Sequence, residues 1–223
     1  MIRRLNIATL MLALVVSLTA ADALVAQSGS GAKRPQTAPP AGQAAPKAVP
    51  RSAPAPSPAA APAPVIVVDT DKGTFEFTTF PKEAPKSVEH IVALVKRNFY
   101  NGQHFHRVEP NFVVQWGSPT TKDMRFVGQP GWGSGGSGKA IGVSEISPLH
   151  KHKLGSVALA NSGDPTQADS QLYVLTNGAK AAGLNGKYTV IGQVTSGMSV
   201  VQKIQKNDGI KRVTVKAGTP GAK

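Results

Sequence analysis

From Val65 to Lys216 the sequence is broken into short, alternating apolar and polar runs separated by Gly, Pro, Asn or Asp, and this punctuation limits the fold more than any other feature. Successive side chains of a strand point to opposite faces, so such runs read as half-buried strands bounded by turns. Val65–Asp69 and Gly73–Thr78 predict two strands joined by a turn at Asp69–Gly73, with Phe75 and Phe77 on one face. Phe105–Val108, Phe112–Trp116, Ser156–Ala160, Gln171–Thr176, Val190–Val194 and Arg212–Lys216 predict six more. Helical period appears only at Val88, Ile91, Val92 and Val95, which follow Pro85, and in a shorter segment carrying Val200, Val201 and Ile204. Eight strands, two isolated helices and no strand–helix alternation predict a mainly β fold: a closed eight-stranded antiparallel barrel capped by two α-helices.

The 223-residue chain has room for one ordinary domain and an appendage, and the composition changes sharply at Val65. Ten of the 18 prolines lie between Pro35 and Pro64. Residues 24–64, mostly Ala, Pro, Gly, Ser and Gln, have no apolar periodicity to bury and are expected to be a disordered linker ahead of a domain at 65–217 and a flexible tail at 218–223. Arg3-Arg4, the apolar run Ile7–Val16 and the small residues of Ala21-Asp22-Ala23 predict a signal peptide over 1–23, with Ala26 as a second cleavage position. The run is too short and interrupted for a spanning anchor, so the protein is expected to be exported, periplasmic or secreted, and to meet a membrane only transiently. The absence of cysteine excludes disulfide frameworks, thiol catalysis and thiolate zinc sites.

Formal charge is +13; six of 25 basic residues and one of 12 acidic residues precede Val65, leaving +8 for the rest. The cations beyond Val65 are scattered, with no aromatic-interleaved cluster, so no specific nucleic-acid partner is expected. Gly131–Gly136 has G-x-G-x-x-G spacing and Gly133–Lys139 approximates a P-loop, but Gln129-Pro130 is no buried strand and Ala140 supplies no hydroxyl after the lysine. The glycine-rich stretch Gly117–Pro148 is expected to be a long surface loop without strand or helix. His104-x-His106 and His150-x-His152 could each place two imidazoles on one face; without a third ligand no metal is expected, and His150 and His152, between lysines, read as a solvated loop.

Phe105-His106-Arg107-Val108 and Phe112-Val113-Val114-Gln115 predict a hairpin turning at Pro110-Asn111, in which Arg107 and Gln115 interrupt apolar strands. These residues resemble the signature of the cyclophilin-type peptidyl-prolyl cis–trans isomerases. Ser156–Gly163 with Ser170–Tyr173 is similar to that family's second block, and Leu184–Tyr188 with Val190–Val194 and Gly197-Met198 to its third. The likeness spans about Val65 to Val215, in the family's order. It implies the same barrel with two helices, prolyl segments of client proteins as ligands, no cofactor, and a monomer that isomerises X–Pro bonds in exported proteins.

By this resemblance Arg107 is the catalytic arginine, Phe112 and Val113 are floor and wall of the proline pocket, and Gln115 holds the substrate backbone. Ala160 and Asn161 are the edge receiving residues before proline, Gln171 is a polar wall, Tyr173 a pocket aromatic and Leu184 an apolar wall. Tyr188 stands where many members carry histidine. The sequence departs from the pattern at Val113, Trp116, Tyr173, Gly183 and the loop Ser118–Gly138. These departures keep a second reading open, a prolyl-peptide-binding module or chaperone without turnover. A third is a basic domain adhering to an anionic polymer.

Overall fold

Thr70 begins the first reversal of the chain: its hydroxyl donates to Gly73 O (2.7 Å) and accepts the Lys72 N–H (3.1 Å), closing a hairpin between β1 (Val65–Thr70) and β2 (Gly73–Thr79). The register pairs Ile66 with Phe77 and Val68 with Phe75, all buried, so one face of the hairpin is apolar throughout. The computed structural model describes residues 62–218. The expected signal peptide (1–23), the linker as far as residue 61 and residues 219–223 lie outside the described residues.

The remaining strands are β3 (Arg107–Glu109), β4 (Val113–Trp116), β5 (Ser156–Leu159), β6 (Leu172–Leu175), β7 (Val190–Ser196) and β8 (Ile210–Lys216). All eight form one sheet ordered β3-β4-β6-β5-β7-β2-β1-β8, antiparallel at every ladder. The sheet is a curled half-barrel whose edges, β3 and β8, share no ladder; the segments entering them join instead. Gly102 N–H donates to Ile210 O, Ile210 N–H to Gln103 O, and Phe105 N–H to Asp208 O, at 2.8–3.0 Å. His104 and Gly209 form an antiparallel bridge there. The expected barrel is therefore a half-barrel, its edges bridged where residues 102–105 meet residues 208–210.

Helix α1 (Pro85–Lys96) has Pro at its start, where a missing N–H costs nothing, and buries Val88, Ile91, Leu94 and Val95. Its N-cap, Ala84, offers no side-chain acceptor, and Glu145 from the glycine-rich loop fills the role: its carboxylate accepts the N–H groups of Lys86 (3.0 Å) and Ser87 (2.8 Å). Helix α2 (Met198–Val201) is a single turn, with Val201 buried and Ile204 buried just beyond it.

Trp116 is buried in the interior between Phe75 (centroids 6.0 Å apart, interplanar angle 81°) and Phe105 (5.6 Å, 64°). The polypeptide then bends at Gly117, where φ is +107° and a Cβ would overlap Ser170 O, so only glycine lets these backbones approach. The loop beyond contains two 3₁₀ turns, Pro119–Lys122 and Met124–Phe126, and no strand. Asp169 fastens it, accepting from Ser137 Oγ (2.6 Å) and Gly138 N–H (3.0 Å) while facing His90 Nε2 of α1 (3.0 Å).

Candidate active site

Strands β4, β5, β6 and β7 alternate between two apolar clusters. Val114, Trp116, Val157, Leu159, Leu172, Val174 and Ile191 belong to the interior. Val113, Ala158, Tyr173, Leu175 and Val190, the intervening residues, form the second cluster with Ala181, and Phe80, Phe112, Ala160, Leu184 and Tyr188 pack partly buried against it. A strand that buries both faces must have something covering the outer one. Here the cover is partial: Phe80, Phe112, Ala160, Leu184 and Tyr188 stand half-exposed as a rim, and the apolar surface inside that rim is the candidate hollow.

Strand register sets a polar row beside this hollow. Arg107 on β3 lies opposite Gln115 on β4, Gln115 opposite Tyr173 on β6, and Tyr173 opposite Ala158 on β5. Directly opposed residues point to the same face. Arg107 Nη1 donates to Gln115 Oε1 (3.0 Å), and Gln115 Nε2 donates to Gln171 Oε1 (2.8 Å). Gln171 Nε2 in turn donates to Gly133 O (3.1 Å) and Gly135 O (2.8 Å) of the long loop. The glycines resembling a nucleotide loop thus present carbonyls to a glutamine, the wrong polarity for cradling phosphate.

Glu109, two residues from Arg107 on the same face of β3, accepts from Arg107 Nε (2.9 Å) and Nη2. A guanidinium has five N–H donors. With Glu109 and Gln115 engaged, one N–H on each Nη remains free of a partner among the described residues, on a side chain 45% exposed. Glu109 is a site residue that the motif reading passes over, although strand alternation places it beside Arg107.

The ten expected site residues come from five stretches of chain. Arg107 and Gln115 head the polar row, with Gln171 just before β6. Phe112 ends the tight turn after β3, made possible by Asn111 at φ 54°, and Val113 and Tyr173 are buried in the hollow. Ala160 follows β5, Leu184 closes a 3₁₀ turn (Ala182–Leu184), and Tyr188 precedes β7, its ring edge-on to Tyr173 at 5.6 Å. Asn161 differs in detail: its Nδ2 donates to Lys187 O (3.0 Å) and its Oδ1 accepts Gly163 N–H (2.9 Å). Its side chain braces a loop, so its main chain is the part left to meet a ligand.

One expectation is corrected. His150 and His152 are not a solvated loop: His152 is buried at 5% exposure beneath Tyr173, and His150 stacks on Phe80 with centroids 3.8 Å apart and faces Glu83 at 3.5 Å. Lys151 and Lys153 are exposed, whereas the histidines between and beside them turn inward, so charge at neighbouring positions does not report on the histidines themselves. Lys180 Nζ lies 5.5 Å from the Phe112 ring centroid, a cation at the rim.

Burial also sets the protonation of the site. His106, next to Arg107, is pushed down to about 4, chiefly by burial and further by Arg107 and Lys206, while the nearby Gln171 side chain pulls the other way. Burial lowers His152 and raises the phenol of Tyr173, with Tyr188 adding to the latter. At neutral pH both imidazoles are uncharged, and Arg107 is the cation of the polar row. A fixed cation with free N–H groups beside an apolar hollow can stabilise an electron-rich atom on a bound ligand without breaking any bond.

Residues 65–219 match the family described as cyclophilin type peptidyl-prolyl cis-trans isomerase/CLD. A peptidyl-prolyl cis-trans isomerase of Helicobacter pylori is 37% identical over 148 residues, 66% of this chain and 83% of that protein. Peptidyl-prolyl cis-trans isomerase B of Bacillus subtilis is 34% identical over 145 residues, 65% of this chain and 92% of that protein. Among solved structures, a cyclophilin-type isomerase of Cryptosporidium parvum, determined in the presence of the dipeptide Ala-Pro, shares the fold at TM-score 0.57 and 22% identity, covering 69% of this chain and 99% of that one.

Proposed function

The chain belongs to the cyclophilin-type peptidyl-prolyl cis–trans isomerase family and is an isomerase of that type, and from that premise we propose that Arg107 assists rotation of an X–Pro bond seated in the hollow of Phe112, Val113, Tyr173 and Leu184. Amide resonance gives this rotation a barrier of about 18–20 kcal/mol, and uncatalysed exchange takes tens to hundreds of seconds. Midway through the rotation the amide is twisted, conjugation is lost and the proline nitrogen regains a lone pair. A donor aimed at that lone pair binds the twisted form better than either planar isomer, which is what acceleration requires.

The observation that carries this reading is the pairing of Arg107 with Glu109 and Gln115, which holds the guanidinium plane at the edge of the hollow and leaves N–H groups free. One charge-assisted hydrogen bond contributes about 1.5–3 kcal/mol. The apolar walls add to it, because excluding water strengthens the electrostatic interaction and removes solvation that favours the planar, more polar amide. Gln115 and the main chain of Asn161 hold the peptide on one side of the bond while the other side turns.

The ligands on this reading are prolyl segments of client proteins, taken up by a monomer without cofactor. The basic start and apolar run before Ala23 support an activity outside the cytoplasm, in the periplasm or medium, on folding or exported proteins. An assay of cis–trans exchange on a short prolyl peptide tests the mechanism. Arg107→Ala is expected to lower turnover about a hundredfold, equivalent to about 2.7 kcal/mol. Arg107→Lys recovers little, since an ammonium lacks the planar fork that Glu109 and Gln115 hold. An Ala variant retaining more than half the turnover refutes the role.

A further inference from the structure

His152 lies outside the resembled motif, yet it is buried directly behind the pocket. Its Nε2 is 2.8 Å from the Tyr173 hydroxyl, its Nδ1 is 3.1 Å from Asn185 Oδ1, and its own backbone N–H donates to the same Oδ1 at 2.8 Å. The His152 and Tyr173 rings are nearly parallel (6°) with centroids 6.0 Å apart, and Tyr188 stands edge-on to both.

The direction of each hydrogen bond follows from donor chemistry. A backbone N–H can only donate, so the Asn185 atom it meets is the oxygen and the amide has one orientation. That oxygen can only accept, so His152 Nδ1 carries a hydrogen. In the neutral ring Nε2 is then the lone-pair nitrogen, and the Tyr173 hydroxyl must donate to it. The chain from the His152 backbone through Asn185 and His152 to Tyr173 has a single consistent arrangement of hydrogens, and it ends on the aromatic that walls the hollow.

We propose that His152, oriented by Asn185, is a positioning residue that fixes the Tyr173 ring as the rear wall of the proline pocket and so sets how tightly a prolyl ring is held. The inference rests on the pocket assignment of Tyr173 made above. A buried hydroxyl without an acceptor is costly, whereas replacing both partners by apolar groups of similar shape is nearly neutral. Removing the imidazole alone frees the phenol to swing toward another partner and deforms the wall; removing the hydroxyl as well takes that incentive away.

The test measures KM and kcat for a prolyl peptide, and peptide affinity by titration, on folded protein verified by circular dichroism well below the thermal midpoint. His152→Phe is expected to weaken binding at least about tenfold, mainly in KM with kcat changed less than threefold. His152→Gln, whose carbonyl can accept from Tyr173, stays within about threefold of the unmodified protein. The double variant His152→Phe/Tyr173→Phe recovers to within about threefold of Tyr173→Phe alone. Binding by His152→Phe within twofold of the unmodified protein, or a double variant as weak as His152→Phe, overturns the proposal. Should His152→Phe not fold, His152→Gln decides: a tenfold loss there with intact secondary structure also overturns it. Affinity is read by titration, so the positioning role is tested even if turnover is lost, and failure of the isomerase mechanism shows separately as insensitivity to Arg107→Ala.

Discussion

Gly183 illustrates how much one position can decide. In the resembled family a tryptophan is often found there, and it packs against the inhibitor cyclosporin while donating an indole hydrogen bond. Glycine does neither. In this structure Gly183 is exposed, nothing lies within 4 Å of a Cβ built on it, and its φ is outside the left-handed region, so a large side chain can be added without strain. Loss of that hydrogen bond and aromatic contact costs on the order of 2–4 kcal/mol, or about 30- to 1,000-fold in affinity. The protein is therefore expected to be a poorly inhibited isomerase, and Gly183→Trp to restore inhibition without a matching rise in turnover. Titrating both proteins with cyclosporin checks this; nanomolar inhibition of the unmodified chain contradicts it. Arg107 and Gln115 could be picked out by sequence because they are polar residues in otherwise apolar strands, and Gln171 through the family resemblance. Asn185 and His152 could not, because their roles arise from partners that only the fold brings together, and for His152 that partner lies 21 residues away; Glu109 lies between these cases, since strand alternation alone sets it beside Arg107.

Elements show the same division between what a period announces and what a distant contact decides. The eight strands and α1 are legible because burial imposes a period of two or 3.6 on the residues themselves. The start of α1 was only half legible: Pro85 marks it, but its cap comes from Glu145, 58 residues beyond Ser87. Two charge-assisted bonds at the positive end of a helix contribute about 1–2 kcal/mol, so Glu145→Ala should lower the thermal midpoint by a few degrees, about 2–6 °C. Differential scanning calorimetry reads this directly, and an unchanged midpoint would show that the loop contributes nothing to the helix. The residue entering β3 makes a second prediction, because His106 is half-buried against Gly133. Unfolded, the imidazole titrates near 6.5; folded, it titrates at about 4. Above pH 6.5 both states are neutral and the group has no effect on stability. Between about 6.5 and 4 the unfolded chain takes the proton first, so stability falls as pH falls, by on the order of 2–3 kcal/mol. His152 acts in the same direction. Urea midpoints measured between pH 7 and 4 should therefore decline, and His106→Gln should flatten part of that slope.

At the scale of the whole molecule, the sheet separates the interior, which holds Trp116, Phe75 and Phe105, from the outer face, which carries the proposed pocket. This arrangement predicts that the Ala/Pro-rich segment before the domain is dispensable, provided the cut respects the first contacts of the fold. Pro64 O accepts from both Thr79 N–H (3.0 Å) and Thr79 Oγ1 (2.7 Å), extending the pairing of β1 with β2 by one residue. A chain beginning at residue 62 keeps these bonds, and since residues 24–61 bring almost no apolar side chains to pack, it should match the mature protein in thermal midpoint and in turnover of a short prolyl peptide. A chain beginning at residue 66 leaves the buried Thr79 hydroxyl without its acceptor and shortens β1, and should lose about 1–3 kcal/mol. The two truncations separate tether from fold. If the cut at residue 62 alone lowered the midpoint by several degrees, the tail would be docking on the domain. If it raised turnover instead, the tail's prolines would be competing for the pocket. Equal midpoints and equal turnover are the outcome expected of a segment that neither packs on the domain nor enters its pocket.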